Sequence, residues 1–260
     1  MLLPKVTYIR QLPLGDGVPK TCVPLTATRL ADVVPQLAPI LAAQPDLIEW
    51  RLDYLADLTE KTALLATLKQ VRQQLGEVPL LVTVRSQAEG GNAVLSSTDY
   101  QTLLQRLINS GHVDAVDIEL SRGECVEALC AQARAVQVQS VVSAHFFQQT
   151  PPVADIVALL AQMGHQGAAI TKIAVMPRSA QDVLNLLQAS LTATQQQTQP
   201  VITMAMGQLG QITRLAGGTF GSAVTFATVA TASAPGQLPL ATLQQILLLL
   251  NGDSGKELDK

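Results

Sequence analysis

The feature that most constrains the fold is an alternation repeated along the whole chain. Short apolar runs rich in β-branched residues are followed by Ala-, Leu- and Gln-rich segments with apolar residues at positions i, i+3 and i+4. This order is typical of βα units that build a parallel sheet. The candidate strands are 21–27, 46–52, 80–85, 114–120, 140–146, 168–176, 201–206 and 223–228.

Eight such runs, spaced by about thirty residues on average, predict an α/β protein with a single (β/α)8 TIM barrel. A chain of 260 residues can bury one large core, so we expect one domain over 1–260. Residues 1–20 should form an N-terminal β-hairpin that closes the barrel bottom, with its tight turn at 15–17. Residues 252–260 should form a flexible tail. The main alternative is an open doubly wound sheet, but no Gly-rich dinucleotide loop follows the first strand.

Composition and charge limit the classes of binding partner and the cellular compartment that we expect. A formal charge of −3 and a pI near 5.6 give no reason to expect a nucleic acid or an anionic membrane as a partner. The three cysteines are an odd number without metal-ligand spacing, which favours reduced thiols in a cytoplasmic protein. No secretory signal opens the chain. The uncharged stretch 215–252 has apolar runs too short to span a bilayer.

Ionisable residues interrupt the candidate strands near their carboxyl ends. A parallel strand buried on both faces should instead be almost continuously apolar. In barrels of this kind the carboxyl ends of the strands build the active site. Five successive strands therefore deliver ionisable groups to one rim. These residues are Glu49 and Arg51, Arg85, Asp117 and Glu119, His145, and Lys172.

Lys172 is the most informative of them, because apolar residues surround it on both sides. Burial without a paired anion would disfavour its ammonium form, and neighbouring arginines would act in the same direction. A neutral lysine can attack a carbonyl and form an imine, which then serves as an electron sink. The alternative is a lysine near a strand end whose ammonium reaches solvent.

Other positions suit general acid-base chemistry and the binding of an anion. A histidine such as His145 can act as acid and as base near neutral pH, although a lone histidine at a strand end is more often a structural residue. Arg214 could bind a carboxylate through its planar fork, or it could be a solvated helix charge. Ser233 and Gln237 could hydrogen-bond a ligand from a loop. The Glu-Gly-Gly-Asn run at 89–92 predicts either a flap or an ordinary surface loop. No residues have convincing metal spacing.

Four segments carry a resemblance to a known family. They are EWRLDYL at 49–55, TVRSQAEGG at 83–91, TKIAVMP at 171–177 and the long run TMAMGQLGQITRLAGGTFGSAVTFATVATASAPGQ at 203–237. With them the chain resembles the type I 3-dehydroquinate dehydratases across nearly its whole length. The resemblance implies a cofactor-free (β/α)8 barrel and a cytoplasmic lyase, usually a homodimer. Its reaction would be the third step of the shikimate pathway, towards aromatic amino acids.

The resemblance also implies roles for individual residues. Lys172 would form the imine with the C3 ketone of 3-dehydroquinate. His145, oriented by Glu89, would remove a C2 proton and later protonate the C1 hydroxyl, which leaves as water. Arg214 would bind the substrate carboxylate. Further substrate contacts are implied for Glu49, Arg51, Arg85, Ser233 and Gln237, and apolar walls for Met204, Met206 and Phe226.

Two departures from the family pattern stand out. Phe146 follows the histidine where the family usually has Asp, and we expect this change to lower the basicity of His145 and slow turnover. Pro24 stands where the family often has Ser, which would delete one minor substrate contact. Two other functions stay open at this point. One is a class I aldolase-like barrel that uses the same lysine, and the other is a barrel that binds a ligand without turnover.

Overall fold

The eight predicted strands are all present, and they pair in parallel. The computed structural model describes residues 6–56, 58, 61–230 and 232–251, so the predicted tail at 252–260 lies outside the described residues. A short antiparallel pair, β1 and β2, precedes the eight strands β3 to β10, and the two-residue strand β11 pairs with β10. The strands are β1 Thr7–Ile9, β2 Leu12–Leu14, β3 Lys20–Leu25, β4 Leu47–Arg51, β5 Leu80–Thr83, β6 Ala115–Glu119, β7 Gln139–Phe146, β8 Ile170–Val175, β9 Val201–Ala205, β10 Val224–Thr228 and β11 Leu238–Pro239.

The sheet closes on itself. Strands β3 to β9 pair in chain order, and β10 pairs with β3 in parallel. The last gap is closed by a parallel bridge between Val201 of β9 and Ser222, with the amide of Ala223 donating to the carbonyl of Val201 at 2.8 Å. Closure leaves no open edge at this junction. The predicted barrel is therefore confirmed, and the open doubly wound sheet is wrong.

Helices cover the outside of the barrel and follow the strands as predicted. Side-chain alternation along each strand separates two apolar cores. In β8, for example, Ile173 and Val175 pack outward against the helices, whereas Ile170 and Ala174 belong to the barrel interior. No helix in the described ranges is long and apolar enough to cross a membrane. The helices are α1 Leu30–Ala42, α2 Lys61–Leu75, α3 Ser97–Ile108, α4 Cys125–Ala135, α5 Val153–His165, α6 Ala180–Gln196, α7 Gln211–Ala216 and α8 Leu240–Asn251.

The N-terminal hairpin exists, but its turn is not where the sequence predicted it. Ile9 pairs with Leu12, so the two-residue turn is Arg10–Gln11, and the predicted turn at 15–17 is wrong. Arg10 has φ 56, a left-handed conformation that usually favours Gly or Asn. Its guanidinium pairs with Glu77 at 2.9 Å and with Asp114 at 3.3 Å. These ion pairs favour a conformation that the local sequence alone would not.

The hairpin closes the amino-terminal end of the barrel, as predicted. The side chains of Ile9 and Leu14 are fully buried in the interior cluster. That cluster includes Leu47, Ala115 and Ile170, which are the first residues of β4, β6 and β8. The opposite, carboxyl-terminal rim is thus the end of the barrel that stays accessible to a ligand.

Candidate active site

A cavity opens at the carboxyl-terminal rim, and it is lined by every residue to which the family resemblance assigns a catalytic or substrate-binding role. The predicted polar residues that line it are Glu49, Arg51, Arg85, Glu89, His145, Lys172, Arg214, Ser233 and Gln237, and the apolar walls include Met204, Met206 and Phe226.

Lys172 lies inside the barrel in the middle of β8, with 3% of its surface exposed. The alternative of an ammonium that reaches solvent is therefore wrong. Its Nζ lies 3.1 Å from Oδ2 of Asp117 and 3.8 Å from Oε1 of Glu49, and 4.8 Å from the ring centroid of Phe226. The sequence interpretation assumed a buried lysine without a paired anion. The structure instead places two carboxylates beside it.

Arg85 is the hub of the charged network, and it lies two residues beyond the end of β5. Its Nη2 is 2.7 Å from Oδ1 of Asp117, while its Nη1 is 3.1 Å from Oε1 of Glu119 and 3.4 Å from Oε2 of Glu89. Nη1 also donates to Ser143 Oγ at 3.1 Å. Burial on its own raises the pKa of Asp117, but the positive charges of Arg85 and Lys172 hold it well below its usual range.

His145 and Glu89 form a hydrogen-bonded pair. Nδ1 of His145 lies 2.9 Å from Oε2 of Glu89, and Ser121 Oγ donates to Oε1 of the same carboxylate at 2.6 Å. Burial raises the pKa of Glu89 to about 7. Burial, reinforced by the positive charges of Arg85 and Lys172, lowers the pKa of His145 well below its usual value. The imidazole is therefore neutral at neutral pH, as a general base must be.

Arg214 is a buried cation on α7 with no carboxylate within 4 Å in the described part of the chain. Its Nη1 and Nη2 donate to the carbonyls of Phe226 at 3.4 Å and Pro235 at 3.2 Å, and its buried Nε has no protein partner there. Burial lowers its pKa to about 10. The alternative of a solvated helix charge is wrong. An anion that entered the cavity would supply the missing counter-charge.

The loop that follows β10 brings Ser233 and Gln237 to the cavity. Gln237 Oε1 accepts from the amide of Ser233 at 2.8 Å, and Gln237 Nε2 donates to Ser233 Oγ at 3.1 Å. The loop is fixed to the preceding βα connection, because the amide of Gly207 donates to the carbonyl of Pro235 at 3.1 Å. Gly236 has φ +80, and a Cβ there would lie 2.3 Å from the carbonyl oxygen of Gly207. Only glycine allows this close approach.

Glu49 and Arg51 point into the barrel from β4, and both have protein partners. Thr83 Oγ1 donates to Oε1 of Glu49 at 2.8 Å. Arg51 binds Asp53 through two hydrogen bonds of 2.7 and 2.8 Å. Asp53 also accepts from the amide of Asn92 at 3.1 Å, so it joins the end of β4 to the turn that carries Glu89.

The glycines at 90 and 91 are explained by close packing. A Cβ at Gly91 would lie 2.2 Å from the carbonyl oxygen of Arg85. Gly90 has φ +76, and a Cβ there would lie 2.2 Å from the ring of Phe147. The amides of Gly91 and Ala93 donate back to the carbonyls of Ser86 and Arg85. This segment is a hydrogen-bonded turn, which is not the arrangement expected of a hinged flap.

The two departures from the family pattern do not line the cavity themselves. Phe146 packs in the outer cluster between sheet and helices, whereas Phe147 packs in the interior cluster and lines the cavity. The carboxylate that contacts the imidazole is Glu89, and the lower basicity expected of His145 beside Phe146 stays a prediction. Pro24 is buried in β3 in register with Glu49.

Several polar residues that contact the site residues were not predicted from the sequence, or were predicted without a role. Asp117 and Glu119 were recognised as rim residues, but their partners depended on the strand register. Asp53, Ser121 and Ser143 carried no sequence signal. Among the described residues, no group of three or more His, Cys, Asp or Glu side chains is arranged to hold a metal ion.

Comparison with known proteins gives consistent results. A profile of the type I 3-dehydroquinase family matches residues 21–254. A 3-dehydroquinate dehydratase of Lactiplantibacillus plantarum is 46% identical over 237 residues, which cover 91% of this chain and 94% of the relative. The crystal structure of 3-dehydroquinate dehydratase from Geobacillus kaustophilus superimposes with a TM-score of 0.94 at 40% identity, covering 96% of this chain and 98% of that one. The type I enzyme from Clostridium difficile, crystallised with covalently modified comenic acid, gives 0.92 at 35% identity, with 96% and 98% covered.

Proposed function

This chain belongs to the type I 3-dehydroquinase family and is a hydro-lyase, and from that premise we propose that it dehydrates 3-dehydroquinate through an imine at Lys172. The observation that carries the proposal is the shared cavity of Lys172, His145 and Arg214. Lys172 and His145 lie on the adjacent strands β8 and β7, in the register Ser143↔Lys172 and His145↔Ala174. A nucleophile, a base and an anion-binding cation therefore line the same cavity.

The first step is condensation of the lysine with the substrate ketone. Lys172, an ammonium ion in the resting ion pair, gives up one proton and attacks C3 as the amine; this proton and a second one from the nitrogen leave with the ketone oxygen as water, so that a protonated C=N bond replaces the C=O bond. The low exposure of Lys172 excludes bulk water from this bond while it exists. Asp117 and Glu49 lie close enough to stabilise the positive charge of the protonated imine.

The second step is the transfer of a proton by His145. Its Nδ1 is engaged by Glu89, which leaves Nε2 to remove a proton from C2. The electron pair moves into the imine and gives an enamine. The enamine then returns the pair and expels the C1 hydroxyl, which takes a proton from the imidazolium and leaves as water. Hydrolysis of the product imine releases 3-dehydroshikimate and restores Lys172.

Substrate binding follows from the charges that line the cavity. Arg214 supplies the buried positive charge for the substrate carboxylate. Arg51, Glu49, Ser233 and Gln237 supply donors and acceptors for the hydroxyl groups of the ring. Arg85 already contacts Asp117, Glu119 and Glu89, so its main contribution is to fix these carboxylates around the reacting groups.

We also propose the pathway, the compartment, the domain organisation and the oligomeric state. The reaction belongs to the shikimate pathway, in the cytoplasm, and residues 1–260 form one domain. A homodimer is supported by exposed apolar side chains on two contacting helices, with Ile212 on α7 and Leu248 and Leu249 on α8. Sedimentation of the purified protein tests the dimer, which predicts twice the monomer mass.

A turnover assay tests the reaction. Purified protein is incubated with 3-dehydroquinate, and formation of the conjugated enone of 3-dehydroshikimate is followed by absorbance. Parallel arms contain sugar phosphates, the substrates expected of an aldolase-like barrel. Turnover of dehydroquinate alone supports the proposal. Turnover of a sugar phosphate instead, or tight binding of dehydroquinate without product, would contradict it.

A further inference from the structure

Ser121 hydrogen-bonds the pair formed by His145 and Glu89, a contact that the sequence did not predict. It lies in the 3-10 turn Leu120–Arg122 that directly follows β6. Its hydroxyl donates to Oε1 of Glu89 at 2.6 Å, while Oε2 of the same carboxylate faces Nδ1 of His145 at 2.9 Å. We propose that Ser121 is a positioning residue that keeps Glu89 an anionic acceptor and thereby keeps the proton of His145 on Nδ1. This inference rests on the proposed function of the site.

The electrostatic surroundings of Glu89 explain why one hydroxyl matters. Arg85 is the nearest cation, but its Nη1 lies 3.4 Å from Oε2 of Glu89. Its guanidinium also forms ion pairs with Asp117 and Glu119. These two carboxylates repel the charge on Glu89. Burial raises the pKa of Glu89 to about 7, with Arg85 and the Ser121 hydroxyl acting in the opposite direction. The carboxyl group is thus poised between its two protonation states at neutral pH.

The other charged groups nearby do not replace Ser121. Arg122, its neighbour in the same turn, binds Glu119 at 3.0 Å and lies over the ring of Tyr100 at 4.0 Å. On the side of the imidazole, Lys172 and Arg51 lower the pKa of His145, as Arg85 does. Lys172 and Arg51 add no hydrogen bond to Glu89, whereas Nη1 of Arg85 donates a long one, of 3.4 Å, to Oε2.

The protonation state of Glu89 decides which tautomer His145 adopts. An anionic Glu89 accepts from Nδ1–H, so the lone pair of Nε2 is free to remove a proton. A protonated Glu89 instead donates to Nδ1, so the ring proton moves to Nε2. The imidazole then cannot act as the base through that nitrogen. Ser121 favours the first arrangement, because a donor to the carboxylate stabilises its charged form.

The hydroxyl of Ser121 can be removed with little effect on the packing of the core. Ser121 is exposed, so Ser121→Ala removes the hydroxyl without opening a cavity in the core. Ser121→Thr keeps a hydroxyl. Ser179→Ala is a matched control, because Ser179 is exposed on the same rim and caps α6 without contacting Glu89.

The first measurement needs no turnover. The chain has three histidines, so ¹⁵N-histidine labelling gives three ring systems, and His145 is assigned by its loss in His145→Ala. In the parent we expect the Nδ1–H tautomer above about pH 7, changing to Nε2–H as Glu89 takes a proton. In Ser121→Ala this change should move upward by about half a pH unit, because water replaces part of the lost hydrogen bond. Ser121→Thr and Ser179→Ala should follow the parent.

The second measurement is the pH dependence of kcat/KM. We expect the acidic limb of Ser121→Ala to move upward by the same amount, with the parent value recovered at high pH, where Glu89 is ionised in both proteins. An unmoved tautomer change would overturn the inference, and so would a loss of activity that is equal at every pH. If the parent itself does not dehydrate 3-dehydroquinate, the proposed function fails. The tautomer titration still decides the role of Ser121.

Discussion

The ammonium nitrogen of Lys172 lies 3.1 Å from Oδ2 of Asp117, whose other carboxylate oxygen lies 2.7 Å from Nη2 of Arg85. One buried carboxylate therefore forms ion pairs with two buried cations. The arrangement holds the lysine at a fixed place inside the barrel before any substrate is present. It also means that the resting lysine is part of an ion pair, which must be rearranged when the imine forms.

Replacement of Asp117 by Asn should destabilise the fold. The substitution keeps the shape but leaves Arg85 and Lys172 with less negative charge in a buried site. We expect the free energy of unfolding to fall by on the order of 3 kcal/mol, measured by urea denaturation. The half-exposed Asp32, which pairs with Arg29 at the surface, is the control, and Asp32→Asn should unfold like the parent. Equal stability of Asp117→Asn and the parent would show that the buried pair contributes little.

His145→Ala should separate imine formation from proton transfer. Lys172 is unchanged in this variant, so dehydroquinate should still condense with it, but no base is left for the C2 proton. We expect turnover to fall by about 10³-fold and the trapped imine to accumulate in intact-mass spectra. His165→Ala, at an exposed residue at the end of α5, should behave like the parent. Turnover at the parent rate in His145→Ala would remove the histidine from the mechanism.

Glu89→Gln should change the pH profile as well as the rate. In the parent, Glu89 has a pKa of about 7, so kcat/KM should decline as pH falls through that value and the carboxylate takes a proton. Gln cannot titrate, so this limb should disappear, leaving only a decline at lower pH as His145 is protonated. The plateau should be lower by on the order of 10²-fold, because a neutral amide orients the imidazole less well. Persistence of the limb near pH 7 would assign it to another group, and Glu77→Gln, on an exposed residue at the opposite rim, serves as control.

Arg214→Ala should weaken substrate binding more than it slows chemistry. The guanidinium is the buried cation in the cavity that lacks a carboxylate partner in the described residues. We expect KM for dehydroquinate to rise on the order of 10²-fold with a smaller change in kcat. Arg214→Lys should lie in between, because it keeps the charge but loses the planar fork. Arg178→Ala, an exposed control beyond β8, should leave KM unchanged, whereas an unchanged KM in Arg214→Ala would place the substrate carboxylate elsewhere.

The sequence predicted the barrel and the lining of its cavity because both follow from local patterns. Strand residues alternate in direction, so ionisable groups such as Glu49 and Arg51, two positions apart, share one face. The carboxyl ends of parallel strands converge in a barrel, which brings His145 and Lys172 together. These inferences require only the order of the elements and the side-chain period of a strand.

The remaining features depended on contacts between distant segments. The hairpin turns at Arg10 and not at the glycines of 15–17, because ion pairs to Glu77 and Asp114 stabilise its left-handed conformation. The partner of Lys172 could not be chosen among several carboxylates without the register of β6 against β7 and β8. Ser121 gave no signal, since an exposed serine in a short turn is among the least informative residues in a sequence.

Imine formation at Lys172 is tested most directly by borohydride trapping with peptide mapping. The parent, Lys172→Met and the exposed-site control Lys69→Met are incubated with 3-dehydroquinate and borohydride. We predict a reduced adduct on the peptide that contains residue 172 in the parent and in Lys69→Met, together with loss of activity. Lys172→Met should give neither adduct nor turnover. A normal adduct or normal turnover in Lys172→Met would contradict the account.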